Sequence, residues 1–153
     1  MKPIRNSAKA LIIQNGCLLV TQNSDPQGKF YLLPGGGQNP GESLHAALRR
    51  ECQEELGIQV EPGELRYIRE YIAMNHEFAQ TDANVHQVEF MFECQILDES
   101  GIGHGDTPDY YQDGYAWLPL NELHAYRLYP KAIIAQLQMK TQDRPPIYLG
   151  DVN

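Results

Sequence analysis

Residues 36–58 read GGQNPGESLHAALRRECQEELGI, a glycine-rich turn followed by a segment in which apolar residues recur with a helical period. Ser43 follows a Pro-Gly turn and is suited to cap the start of a helix, and Gly57 is suited to end it. The pattern therefore predicts a helix over residues 44–56.

Carboxylates interrupt the apolar side of this predicted helix. Glu51 and Glu55 fall within the apolar stripe, Glu54 lies at its edge, and Arg50 lies beyond the edge, four residues before Glu54. Like charges beside a core lose hydration and repel each other, so apolar side chains are the usual occupants of such positions. Arg50 can neutralise only one of the three carboxylates. At about 100° per residue, the stripe consists of Leu44, Ala47, Leu48 and Cys52.

A divalent cation is one explanation for the excess negative charge. Mg²⁺ and Mn²⁺ prefer carboxylate oxygens and keep water molecules that can be activated or can share a phosphate. A solvated acidic helix end is the alternative explanation. The position of Glu51 and Glu55 inside the apolar stripe favours the cation.

The residues before the turn read Leu33-Pro34-Gly35-Gly36-Gly37 and follow an apolar run typical of a strand end. Consecutive glycines can adopt positive φ and present backbone N–H groups to a phosphate at close range. A triple glycine can also be a simple turn. Because these glycines lead into the acidic helix, we expect Gly35 and Gly37 to contact a substrate.

The whole segment resembles the signature of the Nudix hydrolases, G-x5-E-x7-R-E-U-x-E-E-x-G-U, in which U is a bulky aliphatic residue. Cys52 stands at the first aliphatic position, where its small apolar thiol can pack. The remaining fixed positions are matched by Gly36, Glu42, Arg50, Glu51, Glu54, Glu55, Gly57 and Ile58.

The resemblance implies a MutT-like pyrophosphatase that uses Mg²⁺ or Mn²⁺ to direct water onto a phosphorus of a small nucleotide. The implied substrate is a nucleoside triphosphate or a nucleoside diphosphate linked to another group. Arg50 would orient the helix carboxylates through charge-assisted hydrogen bonds. The implied metal ligands are Glu51, Glu54, Glu55 and Gly36. The implied catalytic residues are Glu42, Arg50, Glu51 and Glu54.

The rest of the chain predicts one α/β domain over residues 1–153, with a core at about 5–140 and a short C-terminal tail. Asn15-Gly16 between apolar runs is a strong hairpin signal. The order of elements suits a mixed sheet between helices, and the resemblance implies an α/β/α sandwich. Further strands are predicted at 65–73, 85–97 and 115–118, and helices at 121–126 and 130–140.

Two acidic residues outside the helix are candidates for substrate binding or for the general base. Alternation over 85–97 predicts one apolar face and one polar face, with Glu89 on the polar face. MutT-like enzymes commonly have a glutamate before a late tryptophan, but here Ala116 precedes Trp117. Asp113, in the preceding loop, could take that role. Both Glu89 and Asp113 could instead be solvated surface carboxylates.

Composition and net charge restrict the expected binding partners, the cellular location and the state of the cysteines. A net charge of −8 argues against long nucleic acid as a partner. No apolar run approaches the roughly 20 residues of a membrane span, so we expect a cytoplasmic protein. Cys17, Cys52 and Cys94 are expected to be free thiols in a reducing compartment. Residues 145–148 could pack on a second copy in a homodimer.

Two alternatives to a pyrophosphatase remain open at this point. One is a nucleotide-sensing module that keeps the fold without turnover. The other is the isopentenyl diphosphate isomerase branch of the fold, which requires a reactive cysteine in the site.

Overall fold

The computed structural model describes residues 2–139 and 147–153, which form strands, helices and two 3-10 helices at Ala73–Asn75 and Leu120–Ala125. The α-helices are α1 (Leu44–Leu56), α2 (Ala79–Asp82) and α3 (Ala132–Gln138). The strands are β1 (Arg5–Leu11), β2 (Ile13–Gln14), β3 (Cys17–Asp25), β4 (Gly28–Leu32), β5 (Gly35–Gly37), β6 (Gln59–Ile72), β7 (His86–Asp98), β8 (Gln112–Pro119), β9 (Leu128–Tyr129) and β10 (Tyr148–Asp151).

The strands form two five-stranded sheets. The first sheet is mixed and has the order β10-β6-β7-β1-β5, with β1 parallel to β7 and antiparallel to β5. In the second sheet, β3 pairs with β2 and β4 and also with β8, and β9 continues the order beside β4. The chain passes from the first sheet to the second at Ile12, between β1 and β2.

The first sheet lies between two apolar cores, which agrees with the predicted α/β class. On one face, Ala8 and Ala10 of β1 pack against Ala47, Leu48 and Cys52 of α1. The opposite face packs against the second sheet, the 3-10 helix at 120–125 and α3, and its core includes Leu11, Leu18, Tyr67, Met91, Leu118, Leu123 and Ile133. Successive residues of β1 therefore serve different cores, as the pleat requires.

The local predictions around the acidic helix are confirmed. α1 spans residues 44–56, the Ser43 hydroxyl accepts a hydrogen bond from the Ala46 N–H at 3.1 Å, and Gly57 ends the helix at φ 69°. At the hairpin, Asn15 and Gly16 have φ of 51° and 73°, the pair of positive values that a type I′ turn requires.

Several element boundaries differ from the sequence prediction. β6 begins at Gln59 instead of residue 65, because register shifts around Pro62 let the strand continue past a residue that cannot donate to the ladder. β8 begins at Gln112 instead of 115, and α3 ends at Gln138. The predicted helix at 121–126 is a 3-10 helix.

The predicted polar face of β7 is wrong in its first half. Glu89 is 3% exposed and Met91 is fully buried. The second sheet and its helices cover that face, so β7 is enclosed on both sides there. A surface location for Glu89 is therefore excluded.

The C-terminal residues belong to the first sheet instead of forming a tail. Tyr148 pairs with Ile68 and Asp151 with Glu70, so β10 lies parallel to β6. The Arg69 guanidinium adds a hydrogen bond to the Val152 carbonyl at 2.7 Å. The proposed contact of residues 145–148 with a second copy falls partly outside the described residues, and Tyr148 itself pairs within its own chain.

The three cysteines are free thiols. Cys52 and Cys94 are buried, as their apolar patterns predict, whereas Cys17 is half-buried. No helix in residues 2–139 or 147–153 has both the length and the apolar character needed to cross a membrane.

Candidate active site

Arg50 of α1 is the centre of a network that joins three carboxylates. Its Nε and Nη2 atoms donate to the two oxygens of Glu42 at 2.7 and 3.0 Å, a bidentate pair. Its Nη1 atom donates to Glu51 at 2.9 Å and to Glu54 at 3.2 Å. The predicted contact between Arg50 and Glu54, one helical turn apart, is therefore present.

Glu42 fastens the loop before α1 to the helix. Besides Arg50, its carboxylate accepts a hydrogen bond from the Asn39 N–H at 3.0 Å. The hydrogen bonds from Arg50 and Asn39 lower the pKa of Glu42 to about 2. Arg50 Nη2 also donates to the Gly37 carbonyl at 2.9 Å, so the same guanidinium binds both ends of the loop.

Glu51 lies directly against the glycine strand. A Cβ atom added to Gly36 would be 2.5 Å from the Glu51 carboxyl carbon and 2.6 and 2.7 Å from its oxygens. Real Cβ atoms essentially never approach other atoms closer than 3.0 Å. Glycine at position 36 is what allows the Glu51 carboxylate to occupy this place.

Glu55 is almost completely buried, at 5% exposure. Burial raises the pKa of Glu55 to about 8, although the charge of Lys9 and a hydrogen bond from Gly35 oppose this rise. The Gly35 N–H donates to Glu55 at 3.0 Å, and Lys9 Nζ donates to the Gly35 carbonyl at 3.1 Å. The helix thus presents carboxylates in three environments, with Glu51 and Glu54 at side-chain exposures of 13% and 35%.

Gly35, Gly36 and Gly37 form the short strand β5 instead of a loop. Gly35 has φ of 130°, whereas Gly36 and Gly37 lie outside the positive-φ region and pair with Ala8 and Ser7 of β1. The Gly35 N–H binds the carboxylate of Glu55, so this donor is already engaged by an anion of the protein itself.

Glu89 and Asp113 lie in different surroundings. Glu89 accepts hydrogen bonds from Arg69 Nε at 2.5 Å and from Gln87 Nε2 at 2.9 Å. Burial alone would raise the pKa of Glu89, but the charges of Arg69 and Lys9 hold it below its ordinary value.

Asp113 is exposed and lies in β8 instead of a loop. The Gln22 amide donates to it at 2.8 Å, and the Ser24 hydroxyl also donates to it. These contacts join Asp113 to β3 and not to α1.

Sequence reasoning missed Lys9 and Arg69, the cations that accompany the buried carboxylates. The alternation of β1, in which Ala8 and Ala10 face α1, contained a signal for Lys9, because it places this residue on the opposite face. Arg69 gave no comparable signal. Arg69 is opposite Glu89 because of the register between β6 and β7, and the sequence does not show this register.

The donor chemistry of the site suits a hard divalent cation, since the Glu51 carboxylate lies against the glycine strand and Arg50 joins it to the carboxylate of Glu54. Within the part of the chain that the structure describes, no three His, Cys, Asp or Glu side chains converge as a complete ligand set. The Arg50 guanidinium is the group that contacts Glu51 and Glu54 in this arrangement. The carboxylates of Glu51 and Glu54 fit such an ion, because each can accept a hydrogen bond from Arg50 through one oxygen and bind a cation through the other.

Comparison with known proteins agrees with this geometry. The family model of the NUDIX domain matches residues 3–137. The nucleoside triphosphatase NudI of Salmonella paratyphi B is 32% identical over 123 residues, which cover 77% of this chain and 84% of that protein.

Solved structures show the same fold. A NUDIX hydrolase from Nitrosomonas europaea superposes with a TM-score of 0.68 at 22% identity, covering 88% of this chain and 86% of that chain. The MutT NUDIX hydrolase from Burkholderia pseudomallei gives a TM-score of 0.68 at 21% identity, with coverage of 90% and 100%. Because the family model spans most of its length, the chain belongs to the Nudix family and is a hydrolase of pyrophosphate bonds.

Proposed function

We propose that this protein is a metal-dependent pyrophosphohydrolase of small nucleotides, either nucleoside triphosphates or nucleoside diphosphates linked to another group. The observation that carries the proposal is the position of Glu51, which rests against Gly36 while Arg50 holds its carboxylate and that of Glu54. An acidic side chain held inward beside bare backbone loses hydration, and a divalent cation that also binds a phosphate would compensate its charge.

The proposed ligands of Mg²⁺ or Mn²⁺ are Glu51, Glu54, Glu55 and Gly36. Such an ion, when bound, supplies neutralisation of phosphate charge and a water molecule of lowered pKa. Arg50 orients Glu51 and Glu54, and Glu42 fixes Arg50 through their bidentate pair.

The proposed substrate contacts are Gly35, Gly37 and Glu89. Gly37 lies against the guanidinium of Arg5, a group suited to phosphate, and Glu89 lies in the same buried polar region as Lys9, whose charge acts on it. The hydrogen bonds of Asp113 to Gln22 and Ser24 support a structural role for that residue in place of the substrate role predicted from sequence.

One observation also suits a nucleotide-sensing module without turnover. Arg50 already donates hydrogen bonds to the carboxylates of Glu51 and Glu54. A protein that only binds nucleotides would not need to free these carboxylates for a metal ion. Such a module would be stabilised by nucleotides and would form no product with either metal.

The isomerase alternative finds no support at Cys52. This thiol is fully buried, and burial raises its pKa well above the ordinary value, which makes it unreactive.

A hydrolysis screen tests the proposal. Nucleoside triphosphates, nucleoside diphosphate sugars and dinucleoside polyphosphates are incubated with Mg²⁺ or Mn²⁺, and released phosphate or pyrophosphate and nucleoside monophosphate are measured. We expect Glu54→Gln to reduce kcat on the best substrate at least about a hundredfold, since it removes a charged ligand.

Glu61→Gln is the matched control, because Glu61 is an exposed glutamate that pairs with Arg49 on the outer side of α1. It should keep normal turnover. A Glu54→Gln protein that hydrolyses the best substrate at the wild-type rate would contradict the proposal.

A further inference from the structure

Two cations of β1 lie beside the glycine strand on the face away from α1. Alternate residues of β1 point to opposite faces, and since Ala8 and Ala10 pack against α1, Arg5 and Lys9 point the other way. In the antiparallel pairing with β5, Ser7 is opposite Gly37 and Lys9 is opposite Gly35. Because β5 has no side chains, these cations can reach its backbone.

Arg5 makes the closer approach of the two. A Cβ atom at Gly37 would be 2.2 Å from both Nε and Nη2 of Arg5, so the guanidinium rests directly on the Gly37 backbone. On the opposite face of the same strand, the Glu51 carboxylate rests on Gly36 in a similar way. β5 therefore separates the proposed metal-binding carboxylates from a guanidinium by the thickness of one strand.

The two cations differ in how their charge is compensated. Lys9 Nζ donates to the Gly35 carbonyl, and its charge favours the ionised forms of the buried Glu55 and Glu89. Within residues 2–139 and 147–153, the Arg5 side chain has neither a hydrogen-bond nor an ion-pair partner. Arg5 is exposed, so its charge is solvated by water and its guanidinium is available to an anionic ligand.

Space for a ligand is present beside Arg5. This residue lines an open cleft of about 690 Å³ between the N-terminal segment, the loop Gln38–Glu42 and the start of β7. That volume lies within the range of about 300–1,000 Å³ typical of small-molecule sites. Glu42 also lines the cleft, but Arg50 neutralises its charge.

We propose that Arg5 binds a phosphate of the substrate beyond the bond that is cleaved, and thereby selects nucleoside triphosphates over nucleoside diphosphate sugars. A guanidinium matches phosphate oxygens with two parallel donors. A sugar at the same place offers only neutral hydroxyls and leaves the charge of Arg5 unpaired. This inference rests on the proposed function, since it concerns the substrate of that same site.

Steady-state kinetics of Arg5→Gln test the proposal on each of the four nucleoside triphosphates and the matching nucleoside diphosphate-glucose. We expect KM for the triphosphate to rise about tenfold or more, the usual effect of losing a hydrogen bond to a charged group. The kcat on the triphosphate and the KM for the sugar derivative should change less than about twofold. Arg5→Lys should retain part of the effect.

Arg49→Gln is the matched control, because Arg49 is an exposed arginine of α1 that pairs with Glu61. It should leave both KM values unchanged. An unaltered KM for the triphosphate in Arg5→Gln, or an equal rise for both substrates, would overturn the proposal.

A binding measurement separates this inference from the proposed function. Inorganic tripolyphosphate is titrated into metal-free wild-type and Arg5→Gln protein by calorimetry, with thermal unfolding as a check that both are folded. We expect the wild type to bind at least about tenfold more tightly, with an advantage that shrinks as salt increases. Equal binding would refute the role of Arg5 even if the protein hydrolyses nucleotides, and a difference would support it even if no turnover is found.

Discussion

Replacement of Gly36 by alanine is the sharpest perturbation of the acidic site. The backbone of Gly36 lies outside the positive-φ region, so alanine introduces no backbone strain there. The added methyl group would be 2.5 Å from the Glu51 carboxyl carbon, and an ordinary van der Waals contact starts at 3.4 Å. The carboxyl group must therefore move by about 0.9 Å, or the strand must move away from it.

A displacement of that size should reduce catalysis more than stability. Glu51 would retreat from Arg50, whose Nη1 now donates to it at 2.9 Å, and from any ion held beside Gly36. Misplacement of a catalytic group by about 1 Å can reduce a rate about a hundredfold. We expect kcat to fall about tenfold to a hundredfold and the half-saturating metal concentration to rise. Because a flexible side chain can yield, the free energy of unfolding should change by less than about 1 kcal/mol.

Gly114→Ala is the matched control for this experiment. Gly114 also lies outside the positive-φ region, and the nearest atom to an added Cβ is Gln22 Nε2 at 3.8 Å. Hydrolysis of the best nucleotide is measured across a range of Mg²⁺ and Mn²⁺ concentrations, with urea unfolding on the same samples. If Gly36→Ala keeps wild-type kcat and the same metal dependence while folded, the Glu51 carboxylate is not required at this place and the assignment of the site fails.

Two further predictions concern the buried polar region and the C-terminal strand. Glu89→Gln should lower the free energy of unfolding in urea by about 3 kcal/mol, since it leaves the charge of Arg69 buried without its partner. The double variant Arg69→Met/Glu89→Leu should recover most of that loss, and a double variant as unstable as the single one would contradict this reasoning. Burial alone would raise the pKa of Asp151, but hydrogen bonds from Asn75, the Ile72 N–H and His76 lower it from 3.8 to about 2. Its stabilising effect is therefore fully present above about pH 4 and is lost as the pH falls through about 2. Asp151→Asn should be about 1–2 kcal/mol less stable than wild type at pH 6, and the difference should disappear as the pH falls below about 2, as measured by urea unfolding, whereas a difference that is constant with pH would exclude the ionised form as its source.

The acidic helix could be predicted because its determinants are local. Ser43 and Gly57 mark its ends, and the period of its apolar residues shows which side faces inward. The conflict between that period and the charges of Glu51 and Glu55 was visible without coordinates. The structure confirms that both side chains face inward, with Glu55 buried.

The surroundings of Glu89 could not be predicted, because they depend on distant parts of the chain. Alternation within β7 shows two faces but not what covers each of them. The cover comes from the second sheet and its helices, and the compensating charge comes from Arg69, which is 20 residues away in sequence. A strand that is buried on both faces can show the same alternation of apolar and polar residues as a strand with one solvent-exposed face. This happens when its buried polar side chains have ion-pair or hydrogen-bond partners.

β6 and β10 escaped prediction for different physical reasons. The Pro62-Gly63 pair suggests a break, but irregular pairing with β7 accommodates it within a long strand. β10 is only four residues long and contains a glycine with φ of 86°. Pairing with the free edge of β6 stabilises β10 as a strand. The sequence of β10 has little intrinsic preference for β-structure.

Each of the three glycines of β5 is needed for a different reason. The reasons separate the glycine at a fixed position of the Nudix signature from the two that are not. At Gly35 a Cβ would be 2.1 Å from the Ala8 carbonyl oxygen, so that residue permits close strand packing. Gly36 admits the carboxylate of Glu51, and only this glycine occupies a fixed position of the signature. Gly37 admits the guanidinium of Arg5, which lies outside the signature altogether. In our proposals, the face of β5 toward α1 serves hydrolysis, and the opposite face, where Arg5 lies, serves the choice of substrate.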